Sequence, residues 1–417
     1  MEVEMKKAIE KNKQAYHKFL EQGTTKVKNN ILKTIAKKII DKQKKLMLAN
    51  EKDLEKGHEN NLSNAFLDRL TLDKKGILAM SQACLEIAGI KDPVGKISDM
   101  NVMEDGFKVG RMNTPIGLIL IIYEARPNVT VEAAALCLKA GNGVILKGGS
   151  DAYNSNMALE KIIKQSLIEN NVDENLVYCV ENVSRKAVDE LLVMDELIDL
   201  VIPRGGEGLI RNVAKKSRIP ILKHYKGVCH VYVNEFADFD MARKIIINAK
   251  VQRPGVCNSL ETLLVDKKIA GDFLKNCLKD LEAEKVKIIG CKKTCAIYKN
   301  IEKAKEEDWY TEYLDLILSV KIVKNIDDAI FHINKYGSMH TDAIITKDIN
   351  LAEKFLKKVD SSSVMVNAST RLADGGVYGL GSEIGIATDK IHARGPMGIE
   401  ELTTKKWIVY GNGHLRK

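Results

Sequence analysis

The 417-residue sequence has no long run of apolar residues. Its longest, IGLILIIY at 116–123, is far shorter than the roughly 20 residues that a membrane-spanning helix needs. The first residues, MEVEMKKAIEKNK, are charged and lack the apolar stretch of a secretory signal. With 45% apolar and 29% charged residues, the composition is typical of a globular protein of two or three domains, expected in the cytoplasm.

Aromatic residues are also scarce, at 5% of the chain, and no basic run is interleaved with them. Nucleic acid and membrane surfaces are therefore not favoured as partners. The formal net charge of +9, from 65 Lys and Arg against 56 Asp and Glu, indicates at most a site that handles anions.

Paired cysteine motifs are missing as well. The eight cysteines include no CxxC, and the C-x-x-x-C at 291–295 has no second ligand pair at a zinc-like spacing. The sequence thus predicts neither a structural metal nor a disulfide framework, and most of the thiols are interpreted as small buried side chains.

The order of apolar patterns predicts the fold class. Residues 1 to about 95 have the spacing of amphipathic helices, and strands then alternate with helices of ten to fifteen residues, which is typical of a doubly wound parallel sheet. The alternation restarts after about residue 231. We therefore predict one α/β domain at 1–232 and a second at 233–361, followed by the segment 362–417. Residues 107–117 and the tail TTKKWIVYGNG have a β-strand pattern.

The first predicted sheet lacks a G-x-G-x-x-G fingerprint. The segment GLGSEIG has glycines at 379, 381 and 385, but it does not open a helix after a strand. The segment IPRGGEGLI is better placed, because Gly205 and Gly206 follow a predicted strand and precede a helix whose N–H groups can face an anion.

Two polar residues lie near ligand-binding positions of such a sheet. Lys147 ends the predicted strand GVILKGG, at the carboxyl edge where ligands gather, although a solvated lysine at a strand end is the plainer interpretation. Asn128, in the loop EARPNVT between a strand and a helix, can be an ordinary N-cap or can donate to an oxyanion.

Cys257 differs from the other thiols. In VQRPGVCNSLETLLV it follows Pro254 and Gly255, which end the preceding helix, and precedes a short apolar strand. A buried structural cysteine prefers the interior of an element, whereas a reactive one needs access to solvent and a site that favours the thiolate. The position is compatible with a nucleophile but does not by itself distinguish one from an unreactive thiol on a loop.

Taken together, these segments resemble the aldehyde dehydrogenase superfamily over nearly the whole chain. The resemblance rests on long motifs in the same order: IIYEARPNVTVEAAALCLKAGN, LKGG, IPRGGEGLI, VQRPGVCNSLETLLV, HTDAIIT, VNASTRLADGG and YGLGSEIGIATDKIHARGPMGIEELTTKKW. It implies an aldehyde dehydrogenase-like fold with two doubly wound α/β domains, a nucleotide-binding domain at 1–232 and a catalytic domain at 233–361. Residues 362–417 are then a return to the first domain, and together with 107–117 they form a small β extension used to build a homodimer or homotetramer. It also implies NADPH as the cofactor; no acidic residue for a ribose 2′-hydroxyl can be assigned.

The resemblance also implies roles for individual residues. Cys257 matches the catalytic nucleophile and Asn128 the oxyanion-stabilising asparagine. The residues that match cofactor contacts are Lys147, Gly205, Gly206 and, less closely, Glu312.

The branch of the superfamily that the motifs resemble most reduces L-glutamyl 5-phosphate to L-glutamate 5-semialdehyde and phosphate, the second step of proline biosynthesis. This implies a transient contact with glutamate 5-kinase, which makes the labile acyl phosphate. A substrate with a carboxylate and a phosphate needs cations, so Arg126 and Arg394 are expected to bind it, with Arg253 near the cysteine and His340 as a further substrate contact. Surface ion pairs and a structural histidine are the alternatives.

The chain departs from superfamily members that make free acids. Those enzymes carry a glutamate ahead of the cysteine to activate water, whereas HYKGVCHVYVNE has no carboxylate before Glu235. Without a general base, hydrolysis of a thioester is slower by roughly a hundredfold, which favours exchange with phosphate.

Two other functions remain open, and a third is favoured less than either. The nearest is a general aldehyde dehydrogenase that produces a free acid. A catalytically inert nucleotide-binding protein is disfavoured by the presence of Cys257 with Asn128. A cysteine hydrolase is disfavoured because no His–Asn pair is recognisable around Cys257.

Overall fold

The computed structural model describes residues 2–124 and 126–416 and separates the chain into two units. The first comprises the chain up to Lys223 with Gly379–Gly385 and the segment from Met397 onward; the second comprises His224–Tyr378 and Ile386–Pro396. Within the described part, no helix combines the length and the hydropathy that crossing a membrane requires.

The first unit begins with five amphipathic helices, as the spacing predicts. In the second of them the residues that are buried, Ile31, Leu32, Ile35 and Ile39, are three or four apart, and the side chain of Thr24 caps its first turn. The helices of this unit are α1 (Glu2–Gln22), α2 (Thr25–Asp41), α3 (Gln43–Glu59), α4 (Asn64–Leu70), α5 (Lys74–Gly89), α6 (Pro127–Lys139), α7 (Tyr153–Glu169), α8 (Arg185–Leu191) and α9 (Glu207–Lys216).

A four-stranded parallel sheet forms the centre of the first unit. Its strands are β3 (Leu118–Tyr123), β4 (Gly143–Lys147), β5 (Val177–Cys179) and β6 (Leu200–Arg204), in the order β5-β4-β3-β6. Strands β3 and β4 are buried along their whole length, as expected for a sheet covered by helices on both faces. The segment PILKHY at 220–225 has an apolar pattern that predicts one more strand of this alternation, and that prediction is wrong: only Ile221 forms an isolated bridge, to Val201.

The strand patterns at 107–117 and in the tail are confirmed. Strands β1 (Ile97–Val102), β2 (Lys108–Pro115) and β16 (Thr403–Tyr410) form an antiparallel sheet with β2 in the middle. Its outer strands expose large apolar side chains, including Val102 and Trp407, which are about two-thirds accessible to solvent.

The second unit contains a seven-stranded parallel sheet in the order β10-β9-β11-β8-β7-β12-β13. The strands are β7 (Cys229–Val233), β8 (Leu260–Asp266), β9 (Lys287–Gly290), β10 (Glu302–Lys303), β11 (Ile317–Val323), β12 (Thr341–Ile345) and β13 (Ser363–Val366). The helices are α10 (Phe239–Val251), α11 (Ala270–Ala283), α12 (Lys292–Ile297), α13 (Ile326–Tyr336) and α14 (Ile349–Lys358). Two short strands, β14 (Gly385–Ala387) and β15 (Gly395–Met397), lie where the chain passes from the first unit to the second and where it returns to the first.

The predicted domain limits need correction. The second unit starts at His224 rather than 233, because β7 pairs with β8 and β12 and so belongs to the larger sheet. The chain returns to the first unit at Gly379 rather than 362, because β13 is the last strand of that same sheet.

A buried ion pair joins the two elements that flank the Cys257 loop. Lys250 in the last turn of α10 donates from Nζ to Oε2 of Glu261 in β8 at 2.8 Å, and neither side chain has any exposed area. Burial lowers the pKa of Lys250 and raises the pKa of Glu261 to about 7, so each charge depends on the other. The pair thus fixes the distance between the two ends of the loop.

Most thiols are buried, as the sequence predicts. Five of the eight are fully buried, and burial raises the pKa of each: Cys84, Cys137, Cys179, Cys229 and Cys277. The half-buried ones are Cys257, Cys291 and Cys295.

Lys250→Met is expected to lower the free energy of unfolding of the second unit by about 3–5 kcal/mol, because it leaves the Glu261 carboxylate buried without its cation. The measurement is urea denaturation followed by circular dichroism. Lys250→Met/Glu261→Leu should recover most of the loss. As a control, Lys268→Met removes the exposed pair with Glu235 and should cost about 0–1 kcal/mol. Equal effects of Lys250→Met and the control would contradict this assignment.

Candidate active site

Four loops meet at the amino edge of the second unit's sheet. Strands β11, β8, β7 and β12 are successive neighbours, so the segments that precede them lie side by side. These segments carry Glu312, Cys257, His224 and His340, in that order across the sheet. Residues that are far apart in the sequence are therefore collected at one edge.

Cys257 is held by its neighbours through its backbone. A Cβ atom added to Gly227 would lie 1.8 Å from the carbonyl oxygen of Cys257, so only glycine permits this approach of the segment before β7. The thiol of Cys229 donates to the same oxygen over 3.2 Å. The half-buried Cys257 is thus positioned by main-chain packing rather than by its own side chain.

Two imidazoles accompany the Cys257 thiol. One ring nitrogen each of His224 and His340 and the Sγ atom of Cys257 all lie within 4.8 Å of one another. Burial and then the proximity of His224 lower the pKa of the fully buried His340 to about 3, so this ring is neutral near pH 7. His340 was expected to contact the substrate, and the structure places it beside the cysteine; His224 was not singled out in the sequence.

The carboxylate of Glu312 contacts the same glycine that packs against Cys257. Its Oε1 accepts the N–H of Gly227 over 2.8 Å, next to the point where Gly227 meets Cys257. The cofactor contact that the resemblance implies for Glu312 stays a prediction, but its location beside the cysteine segment is now fixed.

Arg371, which has no signal in the local sequence, lies near this cysteine. Arg371 donates from Nε to Gln252 at 2.9 Å and from Nη1 to the side-chain oxygen of Asn258, so it contacts residues on both sides of the Cys257 loop. Burial and then the charge of Arg253 lower the pKa of Arg371, while Cys257 raises it. The Arg371 guanidinium is therefore close enough to influence the thiol, and Arg253 is close enough to influence Arg371.

Arg394 has a different environment from the one predicted. Its Nη2 donates to Oδ1 of Asp360 at 3.0 Å and to the Asp360 carbonyl at 3.1 Å, and Lys390 pairs with the same carboxylate. This is the ion pair that stood as the alternative. To bind the substrate as well, the Arg394 guanidinium would have to divide its hydrogen bonds between Asp360 and the substrate.

In the first unit, the predicted cofactor residues lie at the carboxyl edge of the sheet. Lys147 is the last residue of β4, and Gly205 and Gly206 separate β6 from α9. Lys147 is buried and donates to the carbonyl of Gly148 at 2.9 Å, which rules out the solvated lysine, and burial lowers its pKa. Strands β4 and β5 follow β3 on one side of it, whereas β6 lies on its other side, so the strand order reverses between β3 and β6. The crevice at such a reversal is the position at which these folds bind ligands.

The start of α9 already contacts an acidic group. The N–H of Gly206 donates to Oε1 of Glu124 at 3.2 Å, and a Cβ atom on Gly205 would lie 2.7 Å from that carboxyl group. The anion-facing helix start that the glycines predict is therefore present, with Glu124 as the acceptor.

Asn128 lies in a helix and not in the preceding loop. It is the second residue of α6, whose N-cap is Arg126, so its interpretation as an N-cap was wrong. Its Nδ2 donates to Oε1 of Glu132 at 3.0 Å, and burial raises the pKa of that carboxyl group. The amide has a second hydrogen, so the oxyanion role stays a prediction. Arg126 is exposed beside it, and its substrate role stays a prediction as well.

The chain is similar over most of its length to known proteins. The family model described as aldehyde dehydrogenase family matches residues 1–297. A gamma-glutamyl phosphate reductase of Thermodesulfovibrio yellowstonii is 54% identical over 400 residues, 96% of each chain. The crystal structure of gamma-glutamyl phosphate reductase from Thermotoga maritima has a TM-score of 0.97 at 46% identity and covers 99% of both chains.

A more distant structure supports the fold alone. An engineered glycolyl-CoA reductase with bound NADP+ is 19% identical, has a TM-score of 0.67 and covers 97% of this chain and 96% of that one.

Gly227→Ala is expected to slow alkylation of Cys257 by iodoacetamide at least tenfold and to lower the free energy of unfolding by about 1–3 kcal/mol, because the added methyl group displaces the Cys257 backbone. Mass spectrometry of the Cys257 peptide measures the rate. Gly255→Ala is the matched control in the same loop: its Cβ would lie 3.7 Å from the nearest atom, the Leu314 carbonyl oxygen, and both quantities should hardly change. Equal behaviour of the two variants would show that the close approach is not needed.

Proposed function

The chain belongs to the aldehyde dehydrogenase family and within it to the gamma-glutamyl phosphate reductases, and we propose that it reduces L-glutamyl 5-phosphate to L-glutamate 5-semialdehyde and phosphate with NADPH. The observation that carries this proposal is the 54% identity that extends over 96% of both chains. The proposed role is the second step of proline biosynthesis, in the cytoplasm.

The family of the chain implies a nicotinamide dinucleotide, and we assign it to the carboxyl edge of the first unit's sheet. The cavity there, lined by Tyr123, Gly148, Gly149, Asn156 and Val180, has a volume of only about 10 Å³, so it does not itself hold the dinucleotide. A Cβ atom on Gly148 would lie 2.3 Å from the side chain of Asn156, so only glycine permits this close approach.

We assign the binding of the dinucleotide to four residues. Lys147 and the segment of Gly205 and Gly206 contribute a cation and a helix start, and Glu312 contributes a carboxylate. When bound, the nicotinamide supplies the hydride that brings the acyl carbon to the aldehyde level. The preference for NADPH rests on the resemblance alone.

Cys257 performs the covalent step in this proposal. Its thiolate attacks the acyl carbon of the substrate, the C–O bond to phosphate breaks, and a thioester forms. Asn128 and the Cys257 backbone N–H stabilise the oxyanion, worth roughly a hundredfold to a thousandfold in rate for one donor. Once the carbon has been reduced, the C–S bond breaks and the aldehyde leaves.

The anionic groups of the substrate need cations near Cys257. Arg371 interacts electrostatically with Cys257 and Arg253 with Arg371, so we assign both to the phosphate or carboxylate along with the predicted Arg126 and Arg394. His340, beside the thiol, contacts the acyl group.

A free-acid aldehyde dehydrogenase is the second candidate, and the residues around Cys257 favour it less. Lys226, Gly227 and Val228 precede β7 where hydrolytic relatives carry a catalytic glutamate. The carboxylate that does lie nearby, Glu312, accepts a backbone N–H.

We further propose a homodimer or homotetramer formed through the sheet of β1, β2 and β16. Its exposed apolar side chains, among them Val102, Trp407 and Val409, support this surface. A transient contact with glutamate 5-kinase would shorten the time that the acyl phosphate spends in water.

Cys257→Ala is expected to lower the rate of NADP+ reduction by glutamate 5-semialdehyde and phosphate by at least about a thousandfold, because no thioester can form. Absorbance at the NADPH band follows the reaction. Cys291→Ala removes another half-buried thiol and should retain the wild-type rate. Comparable rates for Cys257→Ala and Cys291→Ala would refute the covalent mechanism.

Omission of phosphate from the same assay is expected to reduce the steady-state rate at least about tenfold, because the thioester then accumulates without its acceptor. Sulfate at equal ionic strength is the control and should not restore turnover. A rate independent of phosphate, with glutamate as the product, would identify the free-acid enzyme instead.

A further inference from the structure

The Cys257 thiol needs a group to accept its proton. An ordinary cysteine has a pKa of about 8.5, so only a few per cent is thiolate at pH 7. The thiol lies within 4.8 Å of a nitrogen of His224 and of a nitrogen of His340, and the mechanism above uses neither imidazole as a base.

The two imidazoles are not equivalent. His340 is fully buried, and its Nδ1 lies 2.9 Å from the Thr341 hydroxyl and 3.8 Å from the Cys229 thiol. A second proton on this ring would carry charge into a dry environment, so the ring stays neutral. His340 is therefore unsuited to take the proton of Cys257.

His224 has the arrangement that a base requires. Its ring is half-buried, and its Nδ1 lies 2.8 Å from the carbonyl oxygen of Ile386. A carbonyl can only accept, so Nδ1 carries the hydrogen and Nε2 carries the lone pair of the neutral ring. The backbone thus fixes the tautomer in which a proton can be taken up at Nε2.

The surrounding charges favour the same transfer. The titratable and charged groups around the Cys257 segment are His340 before β12, Cys229 in β7, Arg371 after β13 and Arg253 in the cysteine loop, with Glu312 beside Gly227. The Arg371 guanidinium stabilises a thiolate, and the buried Cys229 stays protonated because burial raises its pKa.

We propose that His224 is the general base that deprotonates Cys257 and the acid that protonates the departing phosphate. His340 is a positioning residue: its ring packs edge-on against that of His224, with centroids 5.6 Å apart. The identity of the acyl substrate in this step rests on the proposed function, whereas activation of the thiol does not.

The protons and electrons balance in this scheme. The Sγ–H bond breaks and its proton moves to Nε2 of His224. The C–S bond forms, the acyl C–O bond breaks with its electron pair on the phosphate oxygen, and that oxygen takes the proton from the imidazolium. After reduction at the expense of NADPH, the C–S bond breaks, its electron pair returns to Sγ, and a solvent proton enters through His224.

The experiment measures alkylation of Cys257 by iodoacetamide from pH 5.5 to 10, without substrate or cofactor, by mass spectrometry of the Cys257 peptide. His224→Asn is the main variant, because its amide can still donate to the Ile386 carbonyl but cannot accept a proton. His58→Gln, on an exposed helix position, is the matched control. Cys291→Ala is included in every background, because hydrogen bonds from the Ile322 N–H and the Thr294 hydroxyl hold the pKa of Cys291 below its ordinary value, although burial alone would raise it.

The wild type and His58→Gln should show a midpoint below about 7.5, and His224→Asn should move it to about 8.5 or above, with a rate at pH 6.5 at least tenfold lower and equal rates at pH 10. His340→Gln should slow the alkylation, but its midpoint should stay below the value of about 8.5 that is expected for His224→Asn.

An unchanged midpoint and rate in folded His224→Asn would overturn the proposal. If that variant does not fold, the wild-type curve decides, because a midpoint at or above 8.5 would also overturn it. Loss of phosphate-dependent turnover with an intact low midpoint would refute the proposed substrate and leave the role of His224 standing.

Discussion

The contact between the backbone of Gly227 and the carbonyl of Cys257 is the constraint on which the site depends. It brings the segment before β7 against the segment before β8 at a distance that no side chain permits. Glu312 accepts the N–H of the same glycine, and Cys229 donates to the same carbonyl. The Lys250–Glu261 pair holds the loop from its other side. The cysteine is therefore held in place by main-chain contacts and by a buried charge pair.

The two units use opposite edges of their sheets. The candidate cofactor residues follow the carboxyl ends of β4 and β6, as is general for open parallel sheets. Cys257 and the two histidines instead precede β8, β7 and β12, at the amino edge. At that edge, each short segment before a strand contributes one functional group, so neighbouring strands determine which groups meet.

Much of this was accessible from the sequence. Apolar spacing predicted the helices of the first 95 residues and the buried strands β3 and β4, and the Pro-Gly turn predicted the loop of Cys257. The predictions that failed concern segments whose structure depends on pairing partners distant in the sequence. The segment PILKHY has a strand pattern but makes only one bridge, and β7 belongs to the second sheet because of its pairing partners. His224 and Arg371 have no local signal, since only the fold brings them to Cys257.

The distribution of thiols has a consequence for oxidative damage. Five cysteines are buried with raised pKa values and so are protected from peroxide, which attacks thiolates. Oxidation is thereby directed to the half-buried thiols, Cys257 among them. Under oxidant stress the molecule would stop turning over while its hydrophobic cores stay intact. As long as the product is a sulfenic acid or a mixed disulfide, a cellular reductant can restore the enzyme without new synthesis.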